Sequence, residues 1–249
     1  LNAMRATTAI APATVYAALF LSDPTETGAA GTEASYVGYV RQAVTLASPT
    51  TVGTTVSTSN SATITFPTPP GASGTALYAA IMDASTGGNM LVYKLLANPI
   101  PLTSETSPRF AAGEIVLTMT GGNLDPTFKV KILNYLRGTN ITGFTPYLAL
   151  YSGDPTTSGT ELSGSGYARL ELTFDTPAEQ VSGQMQTANT NSVESAAAPA
   201  NWGTWAYGVI MDASTAGNRV WYKANAGSYV MNNGAKATVS VGAVTLALN

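Results

Sequence analysis

The chain has no cysteine and no histidine among its 249 residues. The first absence excludes disulfides and thiolate metal sites. The second removes the usual general base, the commonest metal ligand and the side chain that titrates near neutral pH. Charge is scarce as well: Asp, Glu, Lys and Arg make up 10% of the chain, against roughly 25% in typical soluble domains. The 11 basic residues do not cluster enough to follow a phosphate backbone, so nucleic acid is not an expected partner. No apolar run reaches the ~18 residues of a membrane helix, and no signal peptide is visible. Membrane insertion is therefore not expected. No Walker loop, dinucleotide fingerprint or nucleophile elbow is present.

What is abundant is threonine. Its 36 copies outnumber the 11 basic and 14 acidic residues combined. A chain of this kind covers itself with hydroxyls and small side chains, and Thr suits a pleated, half-buried strand. Proteins packed into large assemblies often share this composition.

Self-comparison shows a duplication. "IMDASTGGNMLVYK" (81–94) matches "IMDASTAGNRVWYK" (210–223). "VYAALFLSDPT" (15–25) matches "PYLALYSGDPT" (146–156), and "GTEASYVGYVR" (31–41) matches "GTELSGSGYAR" (159–169). "FAAGEIVL" (110–117) matches "VSVGAVTL" (239–246), always in the same order. The seam falls at "TGGNLDPT" (120–127), which divides the chain into units 1–122 and 123–249. There Asp125 reads as a helix N-cap and Pro126 as the first helical residue. Phe128, Ile132 and Leu136 share one helical face, and Gly138 sits where a C-terminal glycine belongs. "LNAMR" (1–5) matches only the tail of this helix, "LNYLR" (133–137). The first unit's helix is thus expected to start upstream of Leu1.

Beyond the helix the period is two. Ala168, Leu170, Leu172 and Phe174 share one strand face, as do Ala62, Ile64 and Phe66, and Val239 and Val241. Turn clusters of Gly, Pro, Asn, Asp and Ser punctuate these runs. The expected fold class is all-β: two tandem antiparallel β-sandwiches, jelly-roll-like, each preceded by a short α-helix.

Asp83, Asn89, Asp212 and Asn218 bracket the loops of the repeated hexapeptide. Asp83 is expected to accept a hydrogen bond from the backbone two residues on, with Gly87, Gly88 and Asn89 supplying positive φ. The rival reading, a calcium loop, needs 6–8 oxygen ligands and several carboxylates, and one is offered. Asp23–Pro24 and Asp154–Pro155 read as turns after an apolar strand. Glu33 with Arg41, and Glu161 with Arg169, read as surface ion pairs worth ~0–1 kcal/mol. A buried pair that sets the loop register is the sharper alternative. Glu26, Glu33, Glu161 and Glu171 are the carboxylates a glycosidase would have to pair at ~5–10 Å, but no pairing is legible. The chain is expected not to be an enzyme and to need no cofactor or metal. Trp202 and Trp205 lie just before the second hexapeptide strand and Trp221 after it, with Ala76 at the first-copy position aligned with Trp205. They read as core packing or as a contact or glycan surface.

The segments "FLSDPT", "GTE", "GYVR" and "IMDASTGGNMLVY", and their second-copy partners "YSGDPT", "GTE", "GSGYAR" and "WGTWAYGVIMDASTAGNRVWY", resemble a bacteriophage tail fibre-like virion protein family. The resemblance covers nearly the whole chain. The family pattern is one domain and here stands twice, with "YVGYVR" replacing the glycine-rich "GGGYAR" in the first copy. It implies a non-enzymatic component on the exterior of a tailed phage particle, either tail fibre-like or a capsid decoration. Its implied partners are other virion proteins and further copies of itself. The alternative is a receptor-binding adhesin for a host surface glycan.

Overall fold

The computed structural model describes residues 14–25, 28, 30–179 and 185–248. The helix tail expected at residues 1–5 and the carboxylate of Glu26 lie outside them. Among the described residues the chain is almost entirely antiparallel β-structure. The first copy runs β1 (Tyr16–Phe20), β2 (Gln42–Ala43), β3 (Thr50–Val52), β4 (Thr55–Ser59), β5 (Ile64–Thr65), β6 (Thr75–Met82), β7 (Met90–Pro101), β8 (Arg109–Phe110) and β9 (Val116–Met119). A helix, α1 (Pro126–Tyr135), follows. The second copy runs β10 (Tyr147–Tyr151), β11 (Leu170–Glu171), β12 (Ala178–Glu179), β13 (Met185–Ala188), β14 (Val193–Glu194), β15 (Gly203–Met211), β16 (Arg219–Met231), β17 (Thr238–Val239) and β18 (Thr245–Leu248).

The two halves pair identically. Sheets β2-β1-β6-β7, β3-β4-β9 and β5-β8 recur as β11-β10-β15-β16, β12-β13-β18 and β14-β17. Register is kept residue by residue: Tyr16 pairs with Met82 as Tyr147 pairs with Met211, and Ile81 with Val92 as Ile210 with Trp221. The irregularities are kept too. Both long hairpins shift register between Ala76 and Tyr78 and between Trp205 and Tyr207. A register slip would turn every core side chain outward, so this agreement reflects two cores with the same inward positions.

The alternation read from sequence holds at Ile64, Phe66, Leu170, Leu172, Phe174 and Val239, all buried. It fails at three positions. Ala62 and Ala168 are exposed, and Val241 is 62% exposed. Each lies beyond the paired segment of its strand, as do the buried Phe66, Leu172 and Phe174, so pairing alone does not decide which side chains are covered. The paired segments are short because the chain keeps crossing between sheets.

Helix α1 starts as its sequence dictates. The Asp125 carboxylate accepts from the Thr127 N–H, and Pro126 occupies the first turn, where its missing donor costs nothing. The single apolar face expected of it is instead two faces. Leu124 and Phe128 enter the core of the second copy, with Ile132 packed against it. Leu133 enters the core of the first, where Val130 and Leu136 also pack. Lys129 is buried between them at 1% exposure, its ammonium donating to Thr54 O (2.8 Å) and Gly121 O (2.7 Å). Burial pulls its pKa down. Arg137 adds a bond from Nε to Leu46 O at 3.0 Å. The helix therefore joins the two copies by serving both cores.

The segment leading into α1 also covers one strand edge. Asp125 N donates to Val220 O (2.9 Å), Tyr222 N donates to Asn123 O (2.8 Å), and Leu124 bridges Trp221. Under this cover Val220 and Trp221 are 0% and 6% exposed. Their counterparts in β7, Leu91 and Val92, are 39% and 43% exposed.

Leu133→Ala is expected to cost about 2–5 kcal/mol, the usual loss for a buried leucine. Urea denaturation checks it. Because Leu133 sits in the first-copy core although it follows that copy in sequence, amide exchange should rise in β4 and β9. A change confined to the second copy would contradict the shared helix.

Candidate functional site

The repeated hexapeptide is a clamped corner. Asp83 Oδ1 accepts from Asn89 N at 2.6 Å and Oδ2 from Asn89 Nδ2 at 2.8 Å, while Asp83 N donates to Asn89 O at 3.0 Å. The second copy repeats this between Asp212 and Asn218 at 2.6, 3.0 and 3.0 Å. The carboxylate thus spans the loop to a residue six positions on, and not two as expected. The bonds from Asn89 hold the Asp83 carboxyl below its ordinary pKa. Burial would raise that of Asp212, but donors on Asn218 and Lys131 outweigh it and the net shift is downward. The two-residue pattern occurs instead at the Asp-Pro turns. There Thr25 N donates to Asp23 Oδ1 (2.8 Å) and Thr156 N to Asp154 Oδ1 (2.7 Å). Pro24 follows Asp23, and the carbonyl of Pro155 accepts from Arg219 Nη1. Glycine is required inside the corner: a Cβ on Gly88 would stand 2.3 Å from Asp83 Oδ1, and on Gly217 2.5 Å from Asp212 Oδ1.

An arginine holds each corner from outside. Arg41 grips Glu33 with two parallel bonds, Nε–Oε1 2.8 Å and Nη2–Oε2 2.7 Å. Its remaining Nη1 donates to Ala84 O (2.9 Å) and Gly87 O (2.6 Å). Arg169 does the same to Glu161 at 2.8 and 2.7 Å and to Ala213 O and Ala216 O at 2.7 and 2.6 Å. Tyr39 completes the unit, donating to Glu33 Oε1 (3.1 Å) and accepting from Leu19 N (3.0 Å). Tyr167 repeats both bonds with Glu161 and Leu150 N, each at 3.0 Å. The surface-pair reading of these residues is corrected here. The arginine side chains are 9% and 7% exposed, and the fork geometry available only to arginine lets one residue bind a carboxylate and two carbonyls together.

The tryptophan asymmetry resolves into two different cases. Trp202 is 4% exposed, with Nε1 donating to Ser165 O at 3.0 Å and its ring edge-on to Tyr167 at 5.5 Å. As a contact or glycan surface it is ruled out, since no ring face is open. The first copy fills that volume from another chain position. Tyr36 lies edge-on to Tyr39 at 5.3 Å. Its counterpart is Gly164, where a Cβ would stand 2.7 Å from Trp202 Cδ1. The replacement of "YVGYVR" by "GSGYAR" and the appearance of Trp202 are therefore one compensated exchange. Trp205 is only half-buried, its ring 5.5 Å from that of Tyr229.

Glu33 and Glu161 are occupied in their clamps, one in each copy. Glu171 is exposed and is 3.5 Å from the Tyr147 hydroxyl. Among the described residues no three acidic side chains are grouped to hold a metal ion, and no helix is long and apolar enough to cross a membrane.

Two substitutions test the clamp. Arg41→Met leaves Glu33 partly buried and uncompensated and is expected to cost about 3 kcal/mol. Adding Glu33→Gln should recover part of that. A double variant no better than the single would refute the pairing. Ala216 has φ 50° where the first copy has Gly87 at φ 60°, so Ala216→Gly should raise stability by about 1 kcal/mol in thermal unfolding.

These features are turn, strand and packing chemistry repeated at two places, and comparison with known proteins accounts for both. No curated protein matches the chain. The family model described as podophage GP4 fiber I protein gp80 matches residues 1–118 and again residues 125–247, so the chain belongs to that family and carries its unit twice in tandem.

Proposed function

We propose that the chain is a non-enzymatic structural protein on the exterior of a tailed phage particle, built of two sandwich units over 1–122 and 123–249. It acts through protein–protein contacts as a homo-oligomer, with the family description favouring a fibre over a capsid decoration. In such an assembly repetition turns weak contacts into strong attachment.

The observation that carries this reading is the tandem family match, and the apolar strip of β7 is a surface through which contacts can form. Leu91 and Val92 are 39% and 43% exposed, and Leu95 is 58% exposed. Exposed clusters of this kind mark interaction surfaces. The matching second-copy positions, Val220 and Trp221, are buried by the strand-and-helix leader over residues 123–135. The segment that fits the strip is a short apolar strand leading into an amphipathic helix, supplied either by the part of the first unit expected upstream of Leu1 or by a neighbouring virion chain.

Leu91→Lys combined with Val92→Lys should leave the melting temperature within a few degrees, because both side chains are exposed. It should lower the number of copies recovered per particle at least tenfold, as counted by quantitative mass spectrometry of purified virions. Unchanged incorporation would overturn the role of the strip.

A further inference from the structure

The second copy contains a groove of about 730 Å³ that includes Trp205 and Tyr229 among its walls. Its size falls in the range of small-ligand sites. The backbone around it is the same in both copies, so the side chains that differ decide its shape. Leu96 of the first copy packs into the core; its counterpart is Asn225, whose Nδ2 donates to Trp205 O at 3.3 Å. Ala79 becomes Gly208, where a Cβ would stand 3.3 Å from Leu148 Cδ1. Ala76, fully buried in the first copy, becomes Trp205, and Ile100 becomes Tyr229, 51% exposed. The apolar Leu96 has been exchanged for an amide, Leu148 stands against Gly208 in place of Ala17, and two rings have been added.

The chemistry of the groove points to one kind of ligand. The rings of Trp205 and Tyr229 are tilted 42° to one another. Trp205 Nε1 is spent on Tyr207 O at 3.0 Å, so its indole offers a π-face. Such a face attracts the weakly positive C–H groups on one side of a pyranose ring. Asn225 can meet ring hydroxyls. The groove residues include Lys223 and Lys236 and neither Asp nor Glu. Lys236 is partly offset by Glu194 at 2.5 Å, whereas Lys223 is exposed.

We propose that this groove binds a saccharide whose pyranose rings carry carboxylates, stacked on Trp205 and Tyr229 with Lys223 beside the acid group. The site goes beyond the assembly role and does not rest on it.

The test follows the Trp205 indole N–H resonance in ¹⁵N-labelled protein during titration with oligogalacturonate and, separately, with neutral maltohexaose. Oligogalacturonate should shift it, with at least tenfold higher affinity than maltohexaose. Asn225→Leu restores the leucine of the first copy. It should weaken binding at least tenfold with an unchanged melting temperature, so a loss of binding cannot be ascribed to unfolding. Trp205→Phe, followed by the backbone amide resonances of β16 instead, should keep measurable binding, and Lys223→Gln should abolish the preference for the acidic chain. A resonance that neither saccharide moves would overturn the site. So would Asn225→Leu binding like the parent. Equal affinity for both saccharides would overturn the assignment to acidic ones.

Discussion

The interaction on which each copy depends is the arginine clamp. A long β-hairpin must turn at the hexapeptide, and the loop's own chemistry only half secures it. The Asp–Asn bonds close the loop on itself but do not tie it to the sheet. Arg41 and Arg169 do so by holding two loop carbonyls while anchored to a glutamate that bridges back to β1 or β10. The tyrosine hydroxyl then passes the constraint to a strand amide that would otherwise lack this partner. Two segments more than 40 residues apart in sequence meet at one guanidinium. This explains why "IMDAST" appears twice: the length of the loop it opens, and the glycine at Gly88 or Gly217 that follows it, are set by the distance between a carboxylate, two carbonyls and an arginine fork.

Around that shared frame the copies have diverged in compensated steps. The volume beside the clamp tyrosine is filled by Tyr36 in one copy and by Trp202 in the other, reached from different loops. Close packing makes this a paired change, because a side chain at Gly164 would collide with Trp202. The groove beside Trp205 is partly compensated, since Leu148 stands where the first copy has Ala17 and meets Gly208. Where the first copy places Leu96 against its core, the second places Asn225, and aromatic rings stand beside it.

The leader helix joins these frames into one molecule. It carries Phe128 to one core and Leu133 to the other, and buries Lys129 between them with two carbonyl partners. A buried ammonium without acceptors would cost several kcal/mol, so the carbonyls of Thr54 and Gly121 are part of how the joint is specified. The same leader leaves the two β-edges unequal, covered at Val220 and Trp221 and exposed at Leu91 and Val92.

Composition, alternation and self-similarity sufficed for the all-β class, the duplication, the hexapeptide corner and the start of α1. These are local: an N-cap needs only Asp125 and its neighbours, and a period of two is visible along Leu170, Leu172 and Phe174. Only the tertiary structure decided what depended on distance. A sequence shows that Glu33 and Arg41 recur as Glu161 and Arg169, but their burial is a property of what packs over them, so they read as surface pairs. Trp202 and Trp205 are three positions apart from one another and chemically alike; one is enclosed by a loop 37 residues away and the other borders a groove. The two faces of α1 were equally hidden, because periodicity registers where apolar residues lie on a helix and cannot register that two separate cores are waiting for them.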